Sequence, residues 1–263
     1  MYAFAYERPA ALADALAKIS AGGQALAGGQ TLIASLKQRL AQPGSLVDLA
    51  GVGELSGIKK EGNTLVIGAM TRHEFVADSA EVKATIPGLA ALAGQIGDRQ
   101  VRAMGTMGGS VANNDPAACY PSAVLALGAT VQTNKRKIAA DDFFQGMYTT
   151  ALEEGELITA IHFPVPQKAA YAKFRQAASR FALVGVFVAQ TDQGVRVAIT
   201  GAGNGVFRHA GLEAALSKSF TAEAVEGVSI DANELNGDLH ASAAFRAQLI
   251  KVQTQRAVQQ ANA

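Results

Sequence analysis

Two glycine-rich segments, widely separated in the chain, constrain this 263-residue sequence more than any other feature. The first, residues 27–31, reads AGGQT, and the second, residues 105–116, reads GTMGGSVANNDP. Glycine allows positive φ and lets the backbone approach a ligand closely. Two such segments in one chain predict an extended ligand that carries phosphate, and a dinucleotide cofactor is the first hypothesis.

The first segment lies between a short apolar run, residues 25–27, and a helical apolar pattern in residues 32–40. This order predicts a strand, a turn and a helix. The first amides of a helix have no partners within the helix and attract an anion, and Thr31 adds a hydroxyl donor. The second segment shows no helical apolar period. It carries Thr, Ser, Asn and Asp side chains, and Gly108-Gly109 leaves room for backbone amides to meet a ligand.

Neither segment has the spacing of a familiar nucleotide-binding motif. G-x-G-x-x-G and G-x-x-x-x-G-K-[ST] are both absent, and no acidic residue lies at the distance that the Rossmann fingerprint requires. The sequence therefore argues against a Rossmann domain and a P-loop. Taken singly, a Gly-Gly pair is more typical of a turn. Gly22-Gly23, for example, follows an apolar helical stretch and is explained as a helix stop.

Charge and hydropathy exclude several classes of partner. The chain has 23 Lys and Arg against 22 Asp and Glu, a net charge of +1, and the two signs are interspersed. No basic footprint for a nucleic acid or an anionic membrane is present. Glu7, Arg8 and Asp14 interrupt the N-terminal region, and no long apolar span follows. We therefore expect a cytoplasmic protein with no nucleic-acid partner and no membrane span.

Cysteine and histidine are too sparse for a metal site. A [2Fe-2S] cluster needs four thiolates or a near substitute, and Cys119 is the only cysteine. The four histidines show no zinc-type spacing. We expect no metal and no acid-base catalytic residue in this chain. His73 is interpreted as part of a capping box, with Thr71 as N-cap and Glu74 at the third helical position.

Hydrophobic periodicity predicts an α+β fold in two domains. Residues 1–165 form the first domain, which divides into a small βαβαβ subdomain, residues 1–50, and a larger α+β subdomain, residues 51–165. Pro164-Val165-Pro166 marks the boundary. Residues 166–263 form a small C-terminal domain. It begins with a three-stranded antiparallel sheet and ends with helices, the longest predicted over residues 241–259.

Several motifs, taken in order, resemble one known family. They are 26–32 (LAGGQTL), 47–49 (VDL), 68–71 (GAMT), 96–102 (IGDRQVR), 105–110 (GTMGGS), 115–118 (DPAA), 142–144 (DFF), 156–158 (ELI) and 181–186 (FALVGV). This series is similar to the FAD-binding medium subunit of the molybdenum hydroxylases, the enzymes of the xanthine dehydrogenase and carbon monoxide dehydrogenase type. The likeness spans nearly the whole chain. It implies an FAD-binding domain of the vanillyl-alcohol-oxidase/PCMH type, followed by the small C-terminal domain.

The resemblance also implies which residues contact FAD. The first loop would hold the pyrophosphate through Leu26, Ala27, Gly28, Gly29, Gln30, Thr31 and Leu32. From the other side, Thr106, Gly109 and Ser110 would bind the diphosphate and ribityl chain, and Asp115 would bond sugar or ribityl hydroxyls. Ile96 and Gly97 would pack near the adenosine half, and Ile158 would line the pocket. Lys173 lies where some relatives have a flavin-contacting lysine.

Cys119 and Phe181 each have two alternative interpretations. Many relatives read DPAAD, with the second aspartate bonding the flavin, whereas residues 115–119 here read DPAAC. A thiol cannot replace a carboxylate as acceptor, so the contact weakens, passes to Asn114 or Asp115, or goes through water. Cys119 is either part of the site or a small buried hydrophobe. Phe181 either stacks on the isoalloxazine, as an aromatic does in some relatives, or packs in the core of a strand over residues 181–189.

The resemblance implies an FAD-carrying electron-transfer subunit of a molybdenum hydroxylase complex. Electrons would pass from [2Fe-2S] clusters on a small partner chain through FAD to an external acceptor. The molybdenum cofactor would lie on a large partner chain, and the assembly would be a dimer of heterotrimers. Two alternatives are a free-standing FAD-dependent oxidoreductase, such as the related reductases of cell-wall precursor synthesis, and a non-catalytic interaction module whose glycines only form turns.

Overall fold

The N-terminal residues form a three-stranded parallel sheet. The structure, a computed structural model, describes all residues from 1 to 263. Its first elements are β1 (Ala5–Glu7), α1 (Leu12–Ser20), β2 (Gln24–Leu26), α2 (Leu32–Lys37) and β3 (Ser45–Asp48). The strand order is β1-β3-β2, with every pair parallel. Since parallel strands end at the same edge, the loop after β2 emerges at the carboxyl end of this sheet.

A five-stranded antiparallel sheet with helices on it follows. Its strands are β4 (Ile58–Glu61), β5 (Thr64–Gly68), β6 (Thr130–Thr133), β7 (Lys137–Ala139) and β10 (Ile158–Pro164), in the order β4-β5-β10-β6-β7. The helices are α3 (His73–Asp78), α4 (Ala80–Thr85), α5 (Pro87–Gly94), α6 (Arg99–Met104), α7 (Met107–Asn113), α8 (Tyr120–Ala126) and α9 (Ala140–Phe143). A small hairpin, β8 (Phe144–Gly146) and β9 (Thr149–Thr150), precedes β10. The largest apolar core lies between these helices and the sheet.

The C-terminal part is built on a four-stranded antiparallel sheet. Its strands, in spatial order, are β11 (Lys168–Arg175), β12 (Ala182–Thr191), β13 (Gly194–Thr200) and β14 (Phe207–Arg208). The helices α10 (Ala210–Lys218) and α11 (Ala243–Asn262) follow. Apolar residues of β12 and β13 pack with Leu249, Ile250 and Val258 of α11 in a second core. The predicted three-stranded sheet thus has a fourth strand, which is only two residues long and gives no periodic signal.

Two local predictions are wrong. Residues 107–113 are helical, because Met107 and Val111, one turn apart, are both fully buried and Thr106 caps the helix through Gly109 N–H. The proposed capping box at Thr71 does not form. The Thr71 hydroxyl instead bonds to the backbone of Gly57, and α3 begins at His73 without a side-chain cap. The Thr71 hydroxyl thus bonds to a residue distant in sequence instead of capping α3.

No helix of the chain combines the length and the apolar character that crossing a membrane requires.

Candidate functional site

A cleft of about 660 Å³ separates the loop after β2 from α7, and its far end reaches β11. This volume lies in the range of small-molecule and cofactor sites. Sixteen of the eighteen residues predicted to contact a cofactor line it. They are Ala27, Gly28, Gly29, Gln30, Thr31, Leu32, Ile96, Gly97, Thr106, Gly109, Ser110, Asp115, Cys119, Ile158, Lys173 and Phe181. Leu26 and Asn114 are the two that do not.

The loop between β2 and α2 presents free backbone amides. The N–H groups of residues 28–32 donate to no atom of the protein, and the first amide with a partner is that of Ile33, which bonds Gly29 O at 3.0 Å. Gly29 has a φ of +71°, and the Gln30 side chain donates to Gly28 O at 3.0 Å. Successive unpaired amides at the start of a helix form an anion site. This loop can therefore hold a phosphate group.

The second glycine-rich segment uses its amides internally. Gly108 N donates to Ala69 O at 2.8 Å, and Gly109 N donates to the Thr106 hydroxyl at 3.2 Å. The expectation that these glycines free amides for a ligand is therefore wrong. Gly108 instead allows close packing, because a Cβ there would lie 2.5 Å from Ala69 Cβ. The groups that this segment offers to the cleft are side chains, and those of Ser110 and Asn113 form no hydrogen bond within the protein.

Glycines also let the two segments meet. A Cβ on Gly28 would overlap the carbonyl oxygen of Met104 and lie 2.7 Å from Gly105 Cα. A Cβ on Gly109 would lie 2.9 Å from Thr106 Oγ1 and 3.3 Å from Ala27 Cβ. Because side chains are excluded at both positions, the amides on one side and the hydroxyls on the other can reach one extended anionic ligand.

Asn114 does not line the cleft, and its side chain has a structural role. It closes α7 with a φ of +42°, and its side chain is buried. Nδ2 donates to Gly146 O at 2.7 Å and to Thr149 O at 2.8 Å, which fastens the β8–β9 hairpin to the end of α7. Leu26 lies within β2, and its side chain approaches Gly29 from outside the cleft.

Asp115 lies at the mouth of the cleft with both carboxylate oxygens engaged. Oδ1 accepts from Ala117 N at 2.8 Å, and Oδ2 accepts from the Tyr148 hydroxyl at 3.3 Å. Partial burial, with the Asp115 carboxylate nearby, raises the pKa of Tyr148. Each carboxylate oxygen has a second lone pair, so Asp115 can still accept from a ligand hydroxyl.

At the far end of the cleft, Lys173 on β11 reaches Cys119. Its Nζ donates to Gln95 O at 2.8 Å and lies 3.4 Å from Cys119 Sγ. Cys119 is 5% exposed, so the interpretation as a small buried residue holds, and it also lines the cleft. The two readings of Cys119 are therefore compatible.

Phe181 does not pack in the core. It precedes β12, which begins at Ala182, and 47% of its surface is exposed beside the cleft. The turn before it is held by Gln176, which accepts from Ser179 N and donates its backbone N–H to Phe181 O. The core alternative for Phe181 is thus wrong. Its ring is free to pack on a planar ligand.

His73 also lines the cleft, where no sequence motif indicates a functional histidine. Burial, together with the positive charge of Arg102, lowers its pKa to about 4. Its Nδ1 has no hydrogen-bond partner, and its ring lies 5.3 Å from that of Tyr120. The imidazole is therefore neutral at neutral pH. The only sequence signal for the burial of His73 is its place in an apolar i, i+3 pattern within α3.

Glu156 also borders the cleft, but both of its carboxylate oxygens are bonded within the protein. Arg136 Nε and Nη2 contact its two oxygens at 3.0 Å each, and the Thr133 hydroxyl donates to it at 2.7 Å. These bonds, that of Arg136 first, lower its pKa to about 2. Glu156 therefore carries a compensated charge and anchors the β6–β7 turn.

The chain is similar in sequence to known proteins of one family. A family model described as the FAD binding domain in molybdopterin dehydrogenase matches residues 2–166. The carbon monoxide dehydrogenase medium chain of Afipia carboxidovorans is 41% identical over 201 residues, which are 73% of this chain and 70% of that one. The medium chain from Hydrogenophaga pseudoflava is 34% identical over 79% of this chain and 78% of its own.

Solved structures of such enzymes share the whole fold. Carbon monoxide dehydrogenase from Hydrogenophaga pseudoflava, in a form lacking the Mo-pyranopterin moiety, superposes with a TM-score of 0.90 at 34% identity, covering 99% of this chain and 97% of that one. Quinoline 2-oxidoreductase from Pseudomonas putida 86 gives a TM-score of 0.87 at 29% identity, with the same coverage of both chains.

Proposed function

Because this chain belongs to the family of FAD-binding subunits of molybdopterin dehydrogenases, we propose that it carries electrons through FAD within a molybdenum hydroxylase complex. The chain is an oxidoreductase subunit with an α+β fold of the FAD-binding PCMH type. We further propose that FAD lies in the cleft described above and contacts the sixteen residues that line it. The observation that carries this assignment is the row of free amides at residues 28–32.

The two halves of FAD fit the two ends of the cleft. The free amides after β2 supply donors for the pyrophosphate, and Thr106, Ser110 and Asn113 supply side-chain polar groups opposite them. Ile96 and Gly97 line the cleft next to Gln95, whose carbonyl accepts from Lys173, so they lie near the Lys173 end rather than beside the adenosine. Phe181 offers an exposed ring for the isoalloxazine, and Lys173 offers a cation beside it. FAD supplies the redox chemistry when bound, and the chain orients it and sets its electrostatic environment.

We propose that the electrons come from [2Fe-2S] clusters on a small partner chain, and that substrate reacts at a molybdenum cofactor on a large one. Several relatives are named as medium chains or subunits of dehydrogenase complexes, which supports partner chains. The finer arrangement, a dimer of heterotrimers, is part of the proposal. The boundary between the two domains at residue 165 is also part of the proposal, and the end of the family match at residue 166 supports it.

Purification of the native complex tests this function. A tag on this chain should co-purify two further chains, and the preparation should contain iron and molybdenum together with one FAD per copy of the tagged chain. Electrons from substrate should then bleach the flavin absorbance. A lone, fully active flavoprotein free of iron and molybdenum would contradict the subunit assignment and favour the free-standing oxidoreductase.

A further inference from the structure

The ammonium of Lys173 is held by two acceptors that carry no formal charge. One is the Gln95 carbonyl, 2.8 Å away, and the other is Cys119 Sγ, 3.4 Å away. Lys173 makes no salt bridge. An ammonium has three N–H donors, so one donor remains for a ligand in the cleft. The positive charge therefore reaches the cleft without a direct counter-ion.

The other charged groups of the cleft do not neutralise Lys173. Glu156 is paired with Arg136 through both oxygens. Asp115 is engaged with Ala117 N and Tyr148 and lies outside salt-bridge distance of Lys173. Arg180, on the segment that carries Phe181, adds a second positive charge to the lining. This end of the cleft thus favours a ligand that is, or becomes, negatively charged.

We propose that Cys119 is a positioning residue that holds the Lys173 ammonium without neutralising it, and that the uncompensated charge raises the reduction potential of FAD. This inference rests on the proposed function, since it requires FAD in the cleft. Reduction increases the negative charge of the flavin, and a nearby cation in a partly desolvated cleft stabilises the reduced form over the oxidised one. A carboxylate at position 119 would form a salt bridge with Lys173 and cancel that effect.

The test compares Cys119→Asp with Cys119→Asn, because these side chains match in size and differ in charge. The first readout is the two-electron midpoint potential of the FAD-loaded chain, measured by spectroelectrochemical titration. The second is the dissociation constant of sulfite from oxidised flavin, since the sulfite adduct is negatively charged. We expect the equilibrium constant for two-electron reduction of the flavin to be about tenfold lower in Cys119→Asp than in Cys119→Asn, which lowers the midpoint potential by about 30 mV. Sulfite binding should weaken in parallel. Wild type should lie near Cys119→Asn.

A second pair of variants supplies an independent comparison should Cys119→Asp fail to retain FAD. Lys173→Met should disfavour reduction and sulfite binding as Cys119→Asp does, whereas Lys173→Arg should keep both close to wild type. Two outcomes would overturn this inference but leave the proposed function intact. One is equal midpoint potentials within both the Cys119 pair and the Lys173 pair, and the other is a wild-type potential that matches Cys119→Asp. A wild-type chain that binds no FAD would overturn the proposed function, and this inference with it.

Discussion

Gly28 lies directly against the carbonyl of Met104, where the first glycine-rich loop meets the second segment. A Cβ at Gly28 would overlap that oxygen and lie 2.7 Å from Gly105 Cα. Both obstacles are backbone atoms, which cannot swing aside as the end of a side chain can. Position 28 requires glycine because the second segment approaches it closely, whereas position 29 requires glycine because its φ is positive.

Gly28→Ala should therefore separate the two segments and weaken FAD binding at least tenfold, with a loss of about 1–3 kcal/mol in unfolding free energy from overpacking. Fluorescence titration of the apoprotein with FAD measures the affinity, and urea unfolding measures the stability. Gly44→Ala is the matched control, because a Cβ at Gly44 meets nothing within 4 Å. FAD affinity equal in the two variants would contradict the close-approach role.

Adjacent asparagines at the end of α7 should behave differently. Asn114→Ala removes two buried hydrogen bonds to the β8–β9 hairpin, so we expect a loss of about 2 kcal/mol in unfolding free energy. Asn113→Ala removes a cleft-lining side chain without a partner in the protein, so it should lower FAD affinity with little change in stability. The reverse pattern, with Asn113 critical for stability and Asn114 for FAD affinity, would refute both assignments.

Phe181→Leu should change the flavin rather than the fold. Phe181 is 47% exposed, so loss of its ring removes little buried surface, and the melting temperature should stay within a few degrees of wild type. Removal of an aromatic face from the flavin costs about 0.5–1.5 kcal/mol of contact energy, which should appear as a shifted flavin spectrum and weaker FAD binding. A lower melting temperature with unchanged flavin properties would count against the contact.

His73 should make stability depend on pH. Its pKa is about 4 in the folded chain, below the ordinary value of 6.5, so the unfolded chain binds the proton more readily. The stability from a neutral His73 is complete above pH 6.5 and is lost as pH falls from 6.5 towards 4. The loss should reach about 3 kcal/mol. Urea unfolding across this range should show a shallower slope for His73→Gln, and identical slopes would contradict the buried neutral imidazole.

The glycine-rich part of this site could be predicted because its signals are local, whereas Ile96, Gly97, Ile158, Lys173 and Phe181 were expected only from the family resemblance. The 27–31 loop joins a strand to a helix, so free amides are expected where the loop enters the helix. The helix at residues 107–113 was missed because only Met107 and Val111 carry its apolar period, while its glycines pack against Ala69. The structural role of Asn114 could not be predicted for a related reason. Its partners, Gly146 and Thr149, are distant in sequence, and no local pattern indicates them.

Backbone hydrogen exchange tests the central claim most directly. The amides of residues 28–32 have no partner in the protein, so in the apoprotein they should exchange rapidly. Binding of FAD should slow exchange at these amides more than at those of Gly108 and Gly109, which already donate to Ala69 and Thr106. Stoichiometric FAD binding that leaves exchange at residues 28–32 unchanged would contradict the assignment of this loop to the pyrophosphate.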